Sequence, residues 1–166
     1  MNKPMFRYIG TKIVNAAPLT RGEYNALRGW ETPADENPAD AGYLVEYVDG
    51  GKPNHPEFEG YISWSPADVF AKAYRPNPGM TFGQAIEALK AGGRVARAGW
   101  NGSGMFAYLV PAASYPAQTG VAKAYFGDSA MVPYREYLAL KTAQGDVATW
   151  APSCSDALAE DWVVVE

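Results

Sequence analysis

Residues 81–110 read TFGQAIEALKAGGRVARAGWNGSGMFAYLV, and this stretch decides the fold of the chain that carries it. Thr81-Phe-Gly-Gln84 is a capping box, in which the hydroxyl and amide side chains each satisfy a backbone N–H at a helix start. A cap of this kind is worth ~1 kcal/mol. Phe82, Ala85, Ile86 and Leu89 recur at i, i+3, i+4 and i+7, which is one helical face. Gly92-Gly93 ends the helix, because glycine takes the left-handed turn at a C-cap without steric cost. Arg94 to Trp100 and Met105 to Val110 then read as strands, joined by Asn101-Gly102-Ser103-Gly104, a hairpin signal. A helix followed by a hairpin of this kind predicts an α+β domain built on an antiparallel sheet.

The sequence downstream extends the pattern. Residues 111–133 carry Pro, Gly and Tyr throughout and read as a long loop, of the length that is functional or mobile and can hold strand pieces of its own. Tyr134 to Thr142 and Val147 to Trp150 form a second hairpin across Ala143-Gln-Gly-Asp146. Pro152-Ser153 opens a short helix to about Glu160, with Asp156 as its N3 acid, and Asp161 to Val165 is the last strand. The expectation is a five-strand antiparallel sheet with one longer and one short helix.

Upstream, Arg75-Pro-Asn-Pro-Gly79 cannot continue a helix and marks a boundary. It separates a module over 1–75 from a linker at 76–79 and a domain over 80–166. The first module also reads as small α+β. Phe6 to Val14 is a strand, and Thr20-Arg-Gly-Glu23 caps a helix running to about Arg28. Tyr43 to Val48 and Tyr61 to Trp64 are strands around the turn at Asp49-Gly50-Gly51. Ser65 is the expected N-cap of a further helix, with Pro66 at its first position and Val69, Phe70 and Ala73 on its apolar face.

Composition narrows the function. The net charge of −4 and pI near 5.0 argue against a partner that is a nucleic-acid polymer, which would call for a basic face. A small anionic ligand needs only one local group of donors and stays open. One cysteine, Cys154, permits no intrachain disulfide, and one histidine, His55, leaves too few soft ligands for zinc. No metal and no cofactor is expected. No apolar run reaches the length of a membrane span and the N-terminus lacks the apolar core of a signal peptide, so the expected place is the cytoplasm. Aromatic residues reach 13%. Their rings serve either as core or as surfaces with one apolar and one hydrogen-bonding end.

No catalytic constellation is legible. His55 sits in a turn-like stretch without a nearby nucleophile, and Cys154 opens a helix with no base in view. Asp156 and Asp161 read as a helix cap acid and a residue leading into an edge strand. The runs around Gly92-Gly93 and Gly99–Gly104 match neither a Walker loop nor a dinucleotide fingerprint. What remains is Arg94, Arg97, Trp100, Asn101 and Gly102, which put two guanidiniums, an indole, an amide and backbone N–H groups in one hairpin. Such a set suits a ligand with a base to stack and phosphates to neutralise. It equally suits a core tryptophan beside an ordinary Asn-Gly turn with two solvated arginines, and the residues alone leave both readings open.

Four blocks run in order through residues 80–166: Met80-Thr-Phe-Gly-Gln-Ala-Ile-Glu-Ala-Leu-Lys90, Val95-Ala-Arg-Ala-Gly-Trp-Asn-Gly102, Met105-Phe-Ala-Tyr-Leu-Val-Pro111, and Trp150-Ala-Pro-Ser-Cys-Ser-Asp-Ala-Leu-Ala-Glu-Asp-Trp162. Together they closely resemble a phage and prophage family, the second type of Thoeris anti-defence protein. The resemblance implies a sponge in the host bacterial cytoplasm. Members bind the cyclic ADP-ribose isomer made by TIR-domain immune enzymes and hold it without cleaving it. Some also bind cyclic oligonucleotides of the CBASS pathway at a separate place. They assemble as homotetramers with signal pockets between protomers. Trp100 and Asn101 carry the pocket role by this resemblance, with Ser153 and Asp156 as further pocket residues. The 111–133 loop is longer than in the smallest members. The N-terminal module resembles a phage module of unknown function, so the resemblance gives it no role. An enzyme degrading the signal and a protein-interaction module are the alternatives.

Overall fold

The computed structural model describes residues 7, 8 and 10–165. The chain divides into two compact units, Met1–Tyr74 and Arg75–Glu166.

In the first unit, β1 (Val14–Pro18), β2 (Gly42–Tyr47) and β3 (Tyr61–Pro66) form an antiparallel sheet in that order. The capping box starts α1 (Arg21–Leu27) as predicted, with the Glu23 carboxylate accepting the Thr20 backbone N–H at 2.8 Å. Two expectations shift. The strand expected over Phe6–Val14 begins only at Val14, where the ladder to Tyr47 starts, while Phe6 and Ile9 lie outside the described residues. Ser65 is not a helix cap. It pairs with Tyr43 inside β3, Pro66 pairs with Gly42, and α2 (Ala67–Ala73) follows with no side-chain cap bond. A proline at the end of an edge strand removes no ladder bond the sheet depends on. Of the expected apolar face, Phe70 stacks on Tyr43 at 4.1 Å and on Tyr74 at 4.8 Å, but Val69 is exposed. His55 is half-buried, its Nε2 3.2 Å from the Leu27 carbonyl and its ring edge-on to Phe58.

The second unit is the predicted α+β domain. Helix α3 (Phe82–Lys90) leads into β4 (Arg94–Arg97) and β5 (Phe106–Val110). Then come β6 (Ala113–Pro116), α4 (Gly120–Phe126), β7 (Met131–Tyr134), β8 (Tyr137–Lys141), β9 (Val147–Thr149), the single turn α5 (Cys154–Ala157) and β10 (Trp162–Val165). The main sheet is antiparallel with five strands in the order β10-β4-β5-β8-β9. The last strand of the chain is therefore the edge neighbour of the first strand of the domain. Alternation along each strand sends Val95, Ala107 and Trp162 to one face, where they form the core with Ala85 and Leu89 of α3. Every member of that cluster is at most 1% exposed.

The loop expected over 111–133 is an arm of its own, a β6–β7 ribbon carrying α4 at its tip. Tyr134 belongs to this ribbon and not to the strand expected from 134 to 142, because Arg135-Glu136 interrupts the chain before β8 begins. The short helix expected to reach Glu160 closes at the Leu158 C-cap after one turn. The segment expected as a linker is bonded into the second unit. Asn77 Oδ1 accepts from Val164 N at 3.0 Å, and Gly79 N donates to the Trp162 carbonyl at 3.0 Å.

Candidate ligand site

Placing β10 beside β4 pairs Trp162 with Arg97 and brings α5 to the end of the hairpin. Ser153 caps α5, with its hydroxyl accepting from Asp156 N and the Asp156 carboxylate accepting from Ser153 N at 3.1 Å. The cap leaves Asp156 buried at 9% exposure, so its carboxylate needs partners. It has them: Oδ2 accepts from the Ser153 hydroxyl at 2.7 Å, and Oδ1 accepts from Arg97 Nη1 at 2.9 Å and from Trp100 Nε1 at 3.2 Å. Burial alone would raise this carboxyl. The bonds from Ser153, Arg97 and Trp100 outweigh it and hold the pKa at about 2.

Asp161 is the second anchor. Its Oδ1 accepts from Arg97 Nε at 2.8 Å and its Oδ2 from Gly99 N at 2.8 Å, which sets the corner that presents Trp100. The hydrogen bond from Arg97 is the main cause that lowers its pKa, and bonds to Asp161 and then Asp156 raise that of Arg97. The indole of Trp100 stands edge-on to Trp150 and Trp162, at centroid distances of 5.9 and 5.5 Å. It is half-buried, packed against the core while part of the ring meets solvent. The neighbouring Asn101 is exposed, and its amide makes no hydrogen bond among the described residues.

The structure therefore brings together Arg97, Trp100, Asn101, Ser153 and Asp156 from the predicted set, and leaves Arg94 out. Arg94 and Arg97 are three apart on one strand, so they point to opposite faces. Arg97 shares the α3 side with Val95, while Arg94 lies over the Phe106 ring at 5.1 Å on the other. Nor is Arg97 a spare cation for a phosphate, because two carboxylates already hold it. Gly102 serves packing: an added Cβ would run into Met105 and come within 2.8 Å of the Ala143 Cβ. The Asn101-Gly102 pair is also not a tight two-residue turn, since the left-handed residue of this loop is Gly104 at φ +65°. The residues that sequence reasoning missed are Asp161, Trp150 and Trp162. Asp161 was in view as a strand-leading acid. Its partner is 64 residues away, and no local pattern announces it.

In chemical terms this site offers a fixed aromatic edge, a free amide and a bound guanidinium. Both carboxylates are ionised and occupied by donors, which suits a scaffold better than a proton-transfer base. No group of three or more His, Cys, Asp or Glu that could hold a metal ion occurs among the described residues.

Two comparisons with known proteins fall on this unit. The sequence profile of the Thoeris anti-defense 2-like domain matches residues 80–165. The protein Thoeris anti-defense 2 of Bacillus phage SP01 is 39% identical over 87 residues, covering 52% of this chain and 94% of that protein.

Proposed function

From the premise that the chain belongs to the Thoeris anti-defense 2-like family, we propose that its second unit captures a cyclic nucleotide immune signal and holds it without cleaving it. The family assignment carries a phage anti-defence role. The finer reading is that the signal is a cyclic ADP-ribose isomer from TIR enzymes, that cyclic oligonucleotides of CBASS are a further ligand class, and that capture takes place in the host cytoplasm. Among the described residues, no helix is long and apolar enough to cross a membrane.

The observation that carries the reading is Trp100, held by its N–H on Asp156 and left partly open beside the free amide of Asn101. A ring fixed before the ligand arrives loses little freedom on binding, and a stacked base contributes ~1–3 kcal/mol. A ligand of roughly 35 heavy atoms at ~0.3 kcal/mol per atom reaches ~10 kcal/mol, in the range of nanomolar affinity. Capture calls for tight binding and slow release rather than turnover.

The site on one chain holds one cation and two carboxylates, a net charge of −1 that does not favour phosphates. This fits a pocket finished by a second copy that supplies further donors. The arm and α5 expose Val121 and Tyr125 at 83% each, Met131 at 57% and Leu158 at 83%. Exposed apolar side chains of this kind suit association with a second copy, and the proposed assembly is a homotetramer with pockets between protomers.

The test is recovery of the ligand. Excess protein is incubated with the signal, which should vanish from solution. After heat denaturation and filtration, the filtrate should activate the downstream effector and show an unaltered ligand mass. Ring-opened or hydrolysed nucleotide, with a protein-free control intact, would establish an enzyme instead.

A further inference from the structure

Asn101 is the only asparagine of the chain that is followed by glycine, and the structure leaves this pair chemically open on both sides. Asn101 is exposed, and its amide makes no hydrogen bond among the described residues. The other described asparagines are all held. Asn15 donates to Glu46, Asn25 to Thr32 and Glu36, and Asn37 to Asp40. Asn54 exchanges two bonds with the backbone of Ile62, and Asn77 accepts from Val164 N. Asn37 and Asn77 also precede prolines, which carry no N–H. Beside Asn101, the Gly102 N–H makes no hydrogen bond among the described residues, and glycine has no side chain to shield it. Packing keeps that glycine in place, because an added Cβ would run into Met105 and come within 2.8 Å of the Ala143 Cβ. The ligand site thus asks for an amide at 101 while the loop asks for glycine at 102.

We propose that Asn101 is a modification site: it deamidates through its own backbone, and the carboxylate so formed weakens capture of the signal. The Gly102 nitrogen, after losing its proton to water or hydroxide, attacks the side-chain carbonyl carbon of Asn101. The N–Cγ bond forms, the Cγ–Nδ2 bond breaks, and the leaving nitrogen takes up a proton to depart as ammonia. Water then opens the five-membered imide. Opening at the side-chain carbonyl gives aspartate. Opening at the main-chain carbonyl gives isoaspartate, whose chain runs through Cγ. In net terms one amide and one water become one carboxylate and one ammonium ion, with nothing oxidised or reduced. The effect on capture rests on reading the Trp100 site as the place of the signal. Either product is acceptor-only when ionised, where the amide had two donors. It adds a negative charge to a site that already sets two carboxylates against one cation. Isoaspartate also lengthens the backbone directly after Trp100, at the corner that Asp161 fixes through Gly99 N.

The experiment ages the full chain in warm, mildly alkaline buffer and samples it over time. Peptide mapping by mass spectrometry reads each asparagine, and chromatography separates aspartate from isoaspartate. The peptide holding Asn101 should gain the mass that exchanges NH for O, as two isomers. Asn15, Asn25 and Asn54 should change more slowly by about tenfold or more, the rate equivalent of a hydrogen bond that must break first. Asn101→Gln should resist at this position, because its longer side chain would have to close a six-membered ring. The aged protein is separated from the fresh by its added charge and titrated with the cyclic ADP-ribose isomer. It should bind about tenfold or more weaker than fresh protein, with a melting transition that shows it folded, and fresh Asn101→Asp should be weakened as well. An Asn101 that stays intact, or changes no faster than the other asparagines, overturns the proposal. So does a folded, deamidated protein of full affinity when Asn101→Ala has lost affinity. If Asn101→Ala also binds as before, or fresh protein does not bind at all, the reading of the Trp100 site is what fails, and the peptide map decides the modification by itself.

Discussion

The indole N–H of Trp100 donates to Asp156 Oδ1 at 3.2 Å across 56 residues of chain, so one carboxylate sets the angle of the ring that the ligand would meet. The same residue holds Trp162, whose Nε1 donates to the Asp156 backbone carbonyl at 3.1 Å. Two tryptophans, an arginine and a helix cap thus converge on one residue, Trp162 on its backbone carbonyl and the others on its carboxylate, and each of these bonds can be tested.

Asp156→Ala removes the acceptor for Arg97 and Trp100 and the acid of the capping box together. Leaving such donors unsatisfied in a part-buried site costs about 2–4 kcal/mol. Urea denaturation should show a fall of that order with an unchanged slope. A loss below about 0.5 kcal/mol, the range of ordinary surface changes, would mean that water replaces the carboxylate at no cost.

Acid should weaken the fold through the same group. Its pKa is lowered from 3.8 to about 2 in the folded state. The stabilisation, about 2 kcal/mol by linkage, is therefore complete above the unfolded value and lost as pH falls from about 5 towards 2. Asp161, Glu36 and Glu46 are lowered as well and act in the same direction. Denaturation midpoints of the wild type and Asp156→Asn should converge as pH drops through this window. A difference that stays constant with pH would refute the assignment.

Asn101→Ala separates binding from folding. Its amide is exposed and unbonded among the described residues, so stability should stay within about 0.5 kcal/mol while signal affinity falls by about tenfold. Trp100→Ala should remove most signal binding, but it also vacates space against Trp150 and Trp162 and should cost about 3 kcal/mol of stability. Unchanged affinity in folded Asn101→Ala and Trp100→Ala proteins would return both residues to a structural role.

A fragment of residues 75–166 should fold alone, because the second unit has its own sheet and core. A fragment beginning at Gly79 loses the Asn77 bond to Val164 N and should be less stable by about 1 kcal/mol. Thermal melts of the two fragments decide this. Aggregation of the longer one would show that the first unit completes its core.

The sequence by itself determined what depends on near neighbours. The three capping boxes are three-residue contacts, and all three form at Thr20, Thr81 and Ser153. The apolar face of α3 and the five strands of the main sheet follow from periodicities of 3.6 and 2 that any reader of the chain can count. Strand order was not in that pattern. Nothing local says that β10 pairs with β4, because a register across more than 60 residues is set by which apolar faces bury together. That pairing placed Asp156 and Asp161 on Arg97 and turned a guanidinium that read as free into a neutralised one. It also left Arg94 on the opposite face, where alternation had already put it, although two arginines close in sequence read as a single cluster. The arm over 113–134 escaped for a related reason. Its helix is seven residues long and buries none of them, so it carries no amphipathic stripe against this chain from which it could have been read.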